Sequence, residues 1–210
     1  MELNGEICEL IGAFIGDGHL GVYGKKKNIY VIGISGDKKL DEDYLKNYLK
    51  PLIKRNFPFT NPKLYYRTDE NTLVVKVYSK MLHGMLIEIG FNNGKKSNIV
   101  TIPNRILENE EFLKKTIRGI FDTDGCVFFD KRKPYNKPYP RITLQVSSIN
   151  LVYQLENYLS RYFTLYVNKG NRDGYRNYIE IYGHKQLEMF LKQIGFSNNR
   201  HLSKINASVA

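Results

Sequence analysis

Between residues 141 and 147, Ile142, Leu144 and Val146 alternate with Arg141, Thr143, Gln145 and Ser147. The same two-residue period sets Leu73, Val75 and Val77 against Val74, Lys76 and Tyr78. Such alternation predicts antiparallel strands with one apolar face under helices and one polar, basic face open to solvent. A further strand is predicted at residues 29–35. Hairpins pair 63–68 with 72–79 and 165–169 with 175–182, around turns rich in Asp, Asn and Gly. Helices are predicted near 41–55 and 150–162. A third helix in each half ends at Gly90 or Gly195, the residue type suited to the left-handed turn that stops a helix.

The order of elements repeats. Leu10-Ile11-Gly12-Ala13-Phe14-Ile15-Gly16-Asp17-Gly18 returns as Ile117-Arg118-Gly119-Ile120-Phe121-Asp122-Thr123-Asp124-Gly125. Each copy holds an apolar helical run, a glycine, and an Asp-Gly end five residues after that glycine. Asp17 and Asp124 lie 107 positions apart, and Glu88–Asn93 recurs as Gln193–Asn198 at an offset of 105. The fold class predicted is α+β, with two pseudo-symmetric αββαββα halves at 1–96 and 110–210. The linker, 97–109, contains Pro103, and Asn109 is a fair N-cap for the second motif helix.

Charge adds a partner to this picture. The formal net charge is +11 over 210 residues. Residues 1–107 hold 16 Lys/Arg and 11 Asp/Glu, and residues 108–210 hold 16 and 10, so the excess is a long footprint and not a tail. A polyanion is the expected partner. With 42% hydrophobic residues the chain has the composition of a globular protein and not of a disordered one. No 18-residue apolar run occurs, and the N-terminus lacks a basic start and an apolar core, so no membrane role and a cytoplasmic location are expected. Cys8 and Cys126 are too few for a disulfide scaffold and read as small packing residues. No Walker loop, zinc cluster, Ser–His–Asp or thiol arrangement is present. An intein would need splicing residues at both ends, which Met1 and Ala210 do not supply, so a free-standing protein is expected.

Gly12 and Gly16, like Gly119 and Thr123, put small residues on one stripe of each motif helix, which lets two backbones approach closely. Packed face to face, the helices would bring Asp17 and Asp124 out at adjacent C-terminal ends. Two carboxylates beside two negative helix termini repel unless a cation intervenes. Oxygen donors of this kind favour Mg²⁺, which can activate water and stabilise the leaving oxygen in phosphodiester hydrolysis. The open, basic strand faces suit the DNA major groove.

Both stretches resemble the LAGLIDADG motif of homing endonucleases, and the whole chain resembles their single-chain, two-motif type encoded within archaeal introns. The resemblance implies saddle-shaped antiparallel sheets on double-stranded DNA, motif helices packed at the centre, and a sequence-specific double-strand break at an intron-insertion site. It implies metal ligands at Asp17 with the Gly16 carbonyl and at Asp124 with the Thr123 carbonyl, holding Mg²⁺ or Mn²⁺. A basic residue after the last helix of each half assists catalysis in that family: Lys95 and Lys96 in the first half, Arg200 and His201 in the second. The motif's first acid corresponds to Ile15 and Asp122, and the loss at Ile15 is not expected to matter. Gly36 and Ser148 stand where some relatives place a water-positioning glutamine.

Expected DNA contacts on the strands and turns are Lys25, Arg67, Lys76, Arg132, Arg141, Thr143, Gln145, Ser147, Lys169, Arg172 and Arg176. His19 reads first as a polar strand-face residue and second as a base or DNA contact. One chain holding both halves predicts a monomer. Two alternatives stay open: an RNA maturase whose partner is its host intron RNA, and a DNA-binding regulator on the same scaffold.

Overall fold

In the computed structural model of the chain the described residues are 1–26, 28–94, 98–132, 137–170 and 177–209. The first motif forms helix α1 (Gly5–Asp17), opened by Asn4, whose side chain accepts from the Ile7 N–H at 2.8 Å. Strands β1 (Gly18–Tyr23) and β2 (Ile29–Asp37) follow. A π-helical stretch, Tyr44–Leu49, then runs into α2 (Lys50–Asn56). Strands β3 (Lys63–Tyr66) and β4 (Thr72–Tyr78) and helix α3 (Lys80–Glu88) complete the half, and Gly90 turns the chain at a φ of 107°. The short helix α4 (Asn104–Leu107) lies in the linker.

The second half repeats the plan. Its elements are α5 (Glu110–Thr123), β5 (Gly125–Asp130), β6 (Tyr139–Val146), α6 (Ile149–Leu159), β7 (Leu165–Asn168), β8 (Asn177–Tyr182) and α7 (His184–Gln193), with α8 (Asn199–Val209) added at the end. Asn109 caps α5 as expected, accepting from Phe112 N–H at 3.0 Å. The sheets have the orders β1-β2-β4-β3 and β5-β6-β8-β7, antiparallel throughout. The architecture is the expected α+β pair of half-repeats.

Strand alternation decides which face is covered. Ile32, Ile34, Leu73, Val75 and Val77 enter the core from the first sheet, and Ile142, Leu144, Val146, Ile179 and Ile181 from the second. Each such side chain contributes about 1.5–3 kcal/mol on full burial. α1 is enclosed over almost its whole length, from Ile7 to Ile15, which explains why its sequence is apolar on every side. No helix is long and apolar enough to cross a membrane among the described residues.

Two elements depart from the sequence pattern. The helix expected at 41–55 begins with the π-helical stretch, which stacks Tyr44 on Tyr48 at a centroid separation of 5.6 Å beneath α1. Helix α8 has no counterpart in the first half's predicted plan, and its anchors are His201 and Ile205, both buried.

Candidate active site at the crossing of the motif helices

Helices α1 and α5 cross where neither carries a side chain. A Cβ on Gly119 would fall 2.6 Å from the Ala13 nitrogen, and one on Gly12 would fall 2.9 Å from the Thr116 carbonyl carbon. Thr116 Oγ1 donates to the Cys8 carbonyl at 3.1 Å, tying one backbone to the other. One turn further, Gly16 faces Thr123 and Asp124, and a Cβ there would stand 3.3 Å from Asp124 Cγ. Asp17 ends α1 and Asp124 caps the C-terminus of α5, so the two acidic residues stand at the ends of the two crossing helices.

The donor set fits a hard divalent cation. Both groups are carboxylates, and both lie at the negative ends of helix dipoles, where a positive charge is stabilised. Among the described residues no group of three or more His, Cys, Asp or Glu side chains gathers around a common point. Two carboxylates make a partial shell, the kind that Mg²⁺ or Mn²⁺ completes with water and substrate oxygens.

Arg200 lies at the end of the second motif helix as expected, whereas His201 is buried. Arg200 donates through Nη2 to the carbonyls of Thr123 at 2.7 Å and Asp122 at 3.2 Å, and its Nη1 meets Asp41 Oδ2 at 3.0 Å. It is a clamp on the last carbonyls of α5, anchored to a first-half acid. Its charge occupies the Thr123 oxygen, so that carbonyl is a poor candidate for a cation and the second half's case rests on the Asp124 carboxylate. His201 is fully buried, its ring 4.6 Å from that of Phe196, and burial beside the Arg200 charge pushes its pKa down to about 3. It is a core residue and cannot touch a phosphate without unpacking α8. Lys95 and Lys96 lie outside the described residues.

Sequence reasoning passed over the polar seam below the crossing. Glu9 on α1 accepts from Tyr48 Oη at 2.6 Å and Ser197 Oγ at 2.5 Å, and lies 3.6 Å from Arg118 on α5. Asp122 accepts from the backbone N–H groups of Ser197 and Asn198, each at 3.0 Å. Burial pushes the Asp122 carboxyl up to about 8, a rise the Asn198 N–H opposes. The one available signal was Asp122 standing where the other copy has Ile15: an acid in an otherwise apolar helix face needs buried partners.

The description "LAGLIDADG-like domain" matches residues 111–195, which hold the second motif and both hairpins of that half. The match to this family model covers the second half of the chain. The homing endonuclease I-DmoI, in complex with DNA and Mn, superposes with a TM-score of 0.64 at 16% identity, over 91% of this chain and 96% of that one. The meganuclease I-SmaMI, bound to uncleaveable DNA, gives 0.63 at 11% identity, over 99% and 91%. Likeness at these identities is likeness of fold.

Two curated proteins of Methanocaldococcus jannaschii are similar in sequence. The replication factor C small subunit is 29% identical over 209 residues, 97% of this chain and 10% of that protein. An uncharacterized protein is 27% identical over 173 residues, 79% of this chain and 59% of that protein. The chain therefore spans about a tenth and about three-fifths of these relatives.

The expected DNA contacts separate by face. On the first sheet Lys76 lies with its Nζ 4.8 Å from the Tyr65 ring centre, and it lines an open-face hollow with His19, Tyr23, Tyr78 and Arg67. His19 lies over Gly33, where any Cβ would collide with its ring, so it is a strand-face residue as first read. Lys25 is exposed in the β1–β2 turn. On the second sheet Gln145 and Ser147 are exposed, whereas Thr143 is buried, its Oγ1 donating to the Cys126 carbonyl at 3.3 Å. Thr143 is a weaker candidate for reading bases than its strand position suggested.

Lys169 belongs to the helix side of the sheet. It pairs with Glu156 of α6 at 2.6 Å, and its Nζ stands 4.5 Å from the ring centre of Tyr153 on the same helix. Arg172 and Arg176 lie outside the described residues. Of the cysteines, Cys8 is buried, with its thiol pushed up to about 12 by burial, whereas Cys126 is exposed on the open face of β5 and is not a packing residue. Arg132 and Arg141 are engaged by carboxylates, and Arg67 pairs with Glu70 at 2.9 Å in the β3–β4 turn, both side chains about half exposed.

Proposed function

We propose that the chain, as LAGLIDADG repeats 1–96 and 110–210 joined by 97–109, is a monomeric, metal-dependent DNA endonuclease. It makes a sequence-specific double-strand break at an intron-insertion site. The observation that supports the reading is the close crossing of two helices through Gly12 and Gly119, one ending at Asp17 and the other capped by Asp124 beside Gly16, with an open sheet face in each half. A DNA-binding regulator would have no use for two carboxylates gathered where phosphate must pass, since they repel it.

Asp17 and Asp124 are the residues that would hold the divalent ion, which when bound supplies activated water and stabilises the leaving oxygen. The protein's own work is positioning. Lys76 and Lys25 meet the phosphate backbone, joined by Arg67 once it leaves its exposed partner Glu70, and Gln145 presents an amide to base edges in the major groove. I-DmoI and I-SmaMI were each solved with DNA, and their fold is this one.

The test is a plasmid carrying the joined exons that flank the coding intron, incubated with the protein and Mg²⁺. Linearisation is expected, with the intron-interrupted plasmid spared and excess EDTA stopping the reaction. Cutting that persists in EDTA would remove the metal from this reading.

A further inference from the structure

The two open sheet faces differ in charge. The strands of the first sheet contain Lys63, Lys76 and His19, and their one acid, Asp37, accepts from its own loop's Lys39 and Leu40 N–H groups at 2.8 and 2.9 Å. The strands of the second sheet contain a single basic residue, Arg141, with two acids, Asp130 and Glu180. Register places Thr143 opposite Glu180 and Arg141 opposite Phe128, so the three charged groups fall on the same face, one residue diagonal from each other.

These groups form a chain. Arg132 donates through Nε to both Asp130 oxygens, at 3.0 and 2.9 Å. Arg141 Nη2 stands 3.3 Å from Asp130 Oδ2, and its Nη1 is paired with Glu180. Tyr178 Oη donates to the other Glu180 oxygen. Hydrogen bonds from Arg132 hold the Asp130 carboxyl down to about 2. Asp130 and Glu180 are 8% and 6% exposed, and the Arg141 side chain 18%. A phosphate that took Arg141 would strand a buried carboxylate, which costs more than an exposed contact returns.

We infer that Glu180 and Asp130 are specificity-determining residues, which hold Arg141 and Arg132 in a charge-neutral array and so keep the second sheet's strand face from binding DNA phosphates without regard to sequence. Sequence-independent affinity then comes from the first sheet. The second sheet discriminates through fixed or neutral groups, Gln145 and the oriented Arg141 fork among them. The inference rests on the DNA-binding reading above.

The experiment measures binding to a mixed-sequence duplex of about thirty base pairs by fluorescence anisotropy, without divalent metal, across a salt series. Glu180→Gln keeps an acceptor for Tyr178 while releasing Arg141. It is expected to bind this duplex on the order of three- to tenfold more tightly than the wild type, with the log K–log[salt] slope steeper by about 0.9, one added phosphate contact. Asp130→Asn is expected to move both quantities in the same direction. In an Arg141→Ala background the Glu180→Gln gain should vanish, because it acts through that guanidinium.

An unchanged or shallower slope in both single variants would overturn the inference. So would a gain that survives Arg141→Ala, or a loss confined to the cleaved site, which would make Glu180 a direct acceptor for a base. A wild-type protein that binds no duplex at low salt would instead sink the DNA-binding reading, and this inference with it.

Discussion

At Asp17 and Asp124 a carboxylate meets the end of a helix dipole, and Asp124 lies close to α1 because Gly16 carries no side chain there. Asp17→Asn and Asp124→Asn are each expected to abolish double-strand cleavage while duplex binding stays within about tenfold, since each removes a ligand and also a charge that repels phosphate. Gel cleavage beside anisotropy measures both, and a variant that still linearises plasmid would reduce the Asp-Gly end to a turn. Gln145 is exposed on a central strand whose neighbours fix it. Its replacement by Ala should cost about 1–3 kcal/mol on the cleaved site and little on a scrambled one. Equal losses on the two duplexes would move base reading off this strand.

The element that governs the site is the crossing of α1 and α5. Gly119→Ala gains about 1 kcal/mol of helix propensity. It also puts a methyl 2.6 Å from the Ala13 nitrogen, against backbone that has nowhere to go. The expected outcome is a net loss of at least about 1–3 kcal/mol in urea unfolding, with cleavage falling because the carboxylates separate. A variant as stable as the wild type would show that the helices have slack there. Arg200 secures the same element from outside: Arg200→Ala leaves the Thr123 and Asp122 carbonyls and the Asp41 carboxylate without their donor. A cost of about 3 kcal/mol is expected. A change within experimental error in the urea midpoint would mean that water replaces the clamp.

Over the whole molecule, two four-stranded sheets share one pair of helices, so a single chain already contains the two-fold arrangement that binding both strands requires. Sedimentation should therefore give a monomer at micromolar concentration, with and without duplex. If six to ten of the 32 basic side chains meet phosphates, log K should fall with log[salt] at a slope of roughly −5 to −9. A slope near zero would contradict the electrostatic footprint, whatever the cleavage assay returned.

What the sequence determined by itself was everything carried by a short period. The alternation at 141–147 put Ile142, Leu144 and Val146 inside, and they are 1%, 0% and 7% exposed. Asn109 and Gly195 marked helix ends that local hydrogen bonding and a φ of 69° then fulfilled. The glycines of the paired motifs foretold where the two motif helices would cross, because small residues on one stripe let two backbones approach closely. Tertiary structure decided the charges. Arg141 and Glu180 are 39 residues apart and became partners through strand register, Arg200 reached Asp41 across 159 residues, and Asp122 found its donors in a turn 75 residues away. Nothing local encodes such pairings. Whether a basic side chain on an open face is spent on a phosphate or on a neighbouring carboxylate depends on which acid the fold brings within about 4 Å, and in this chain the second sheet brought two.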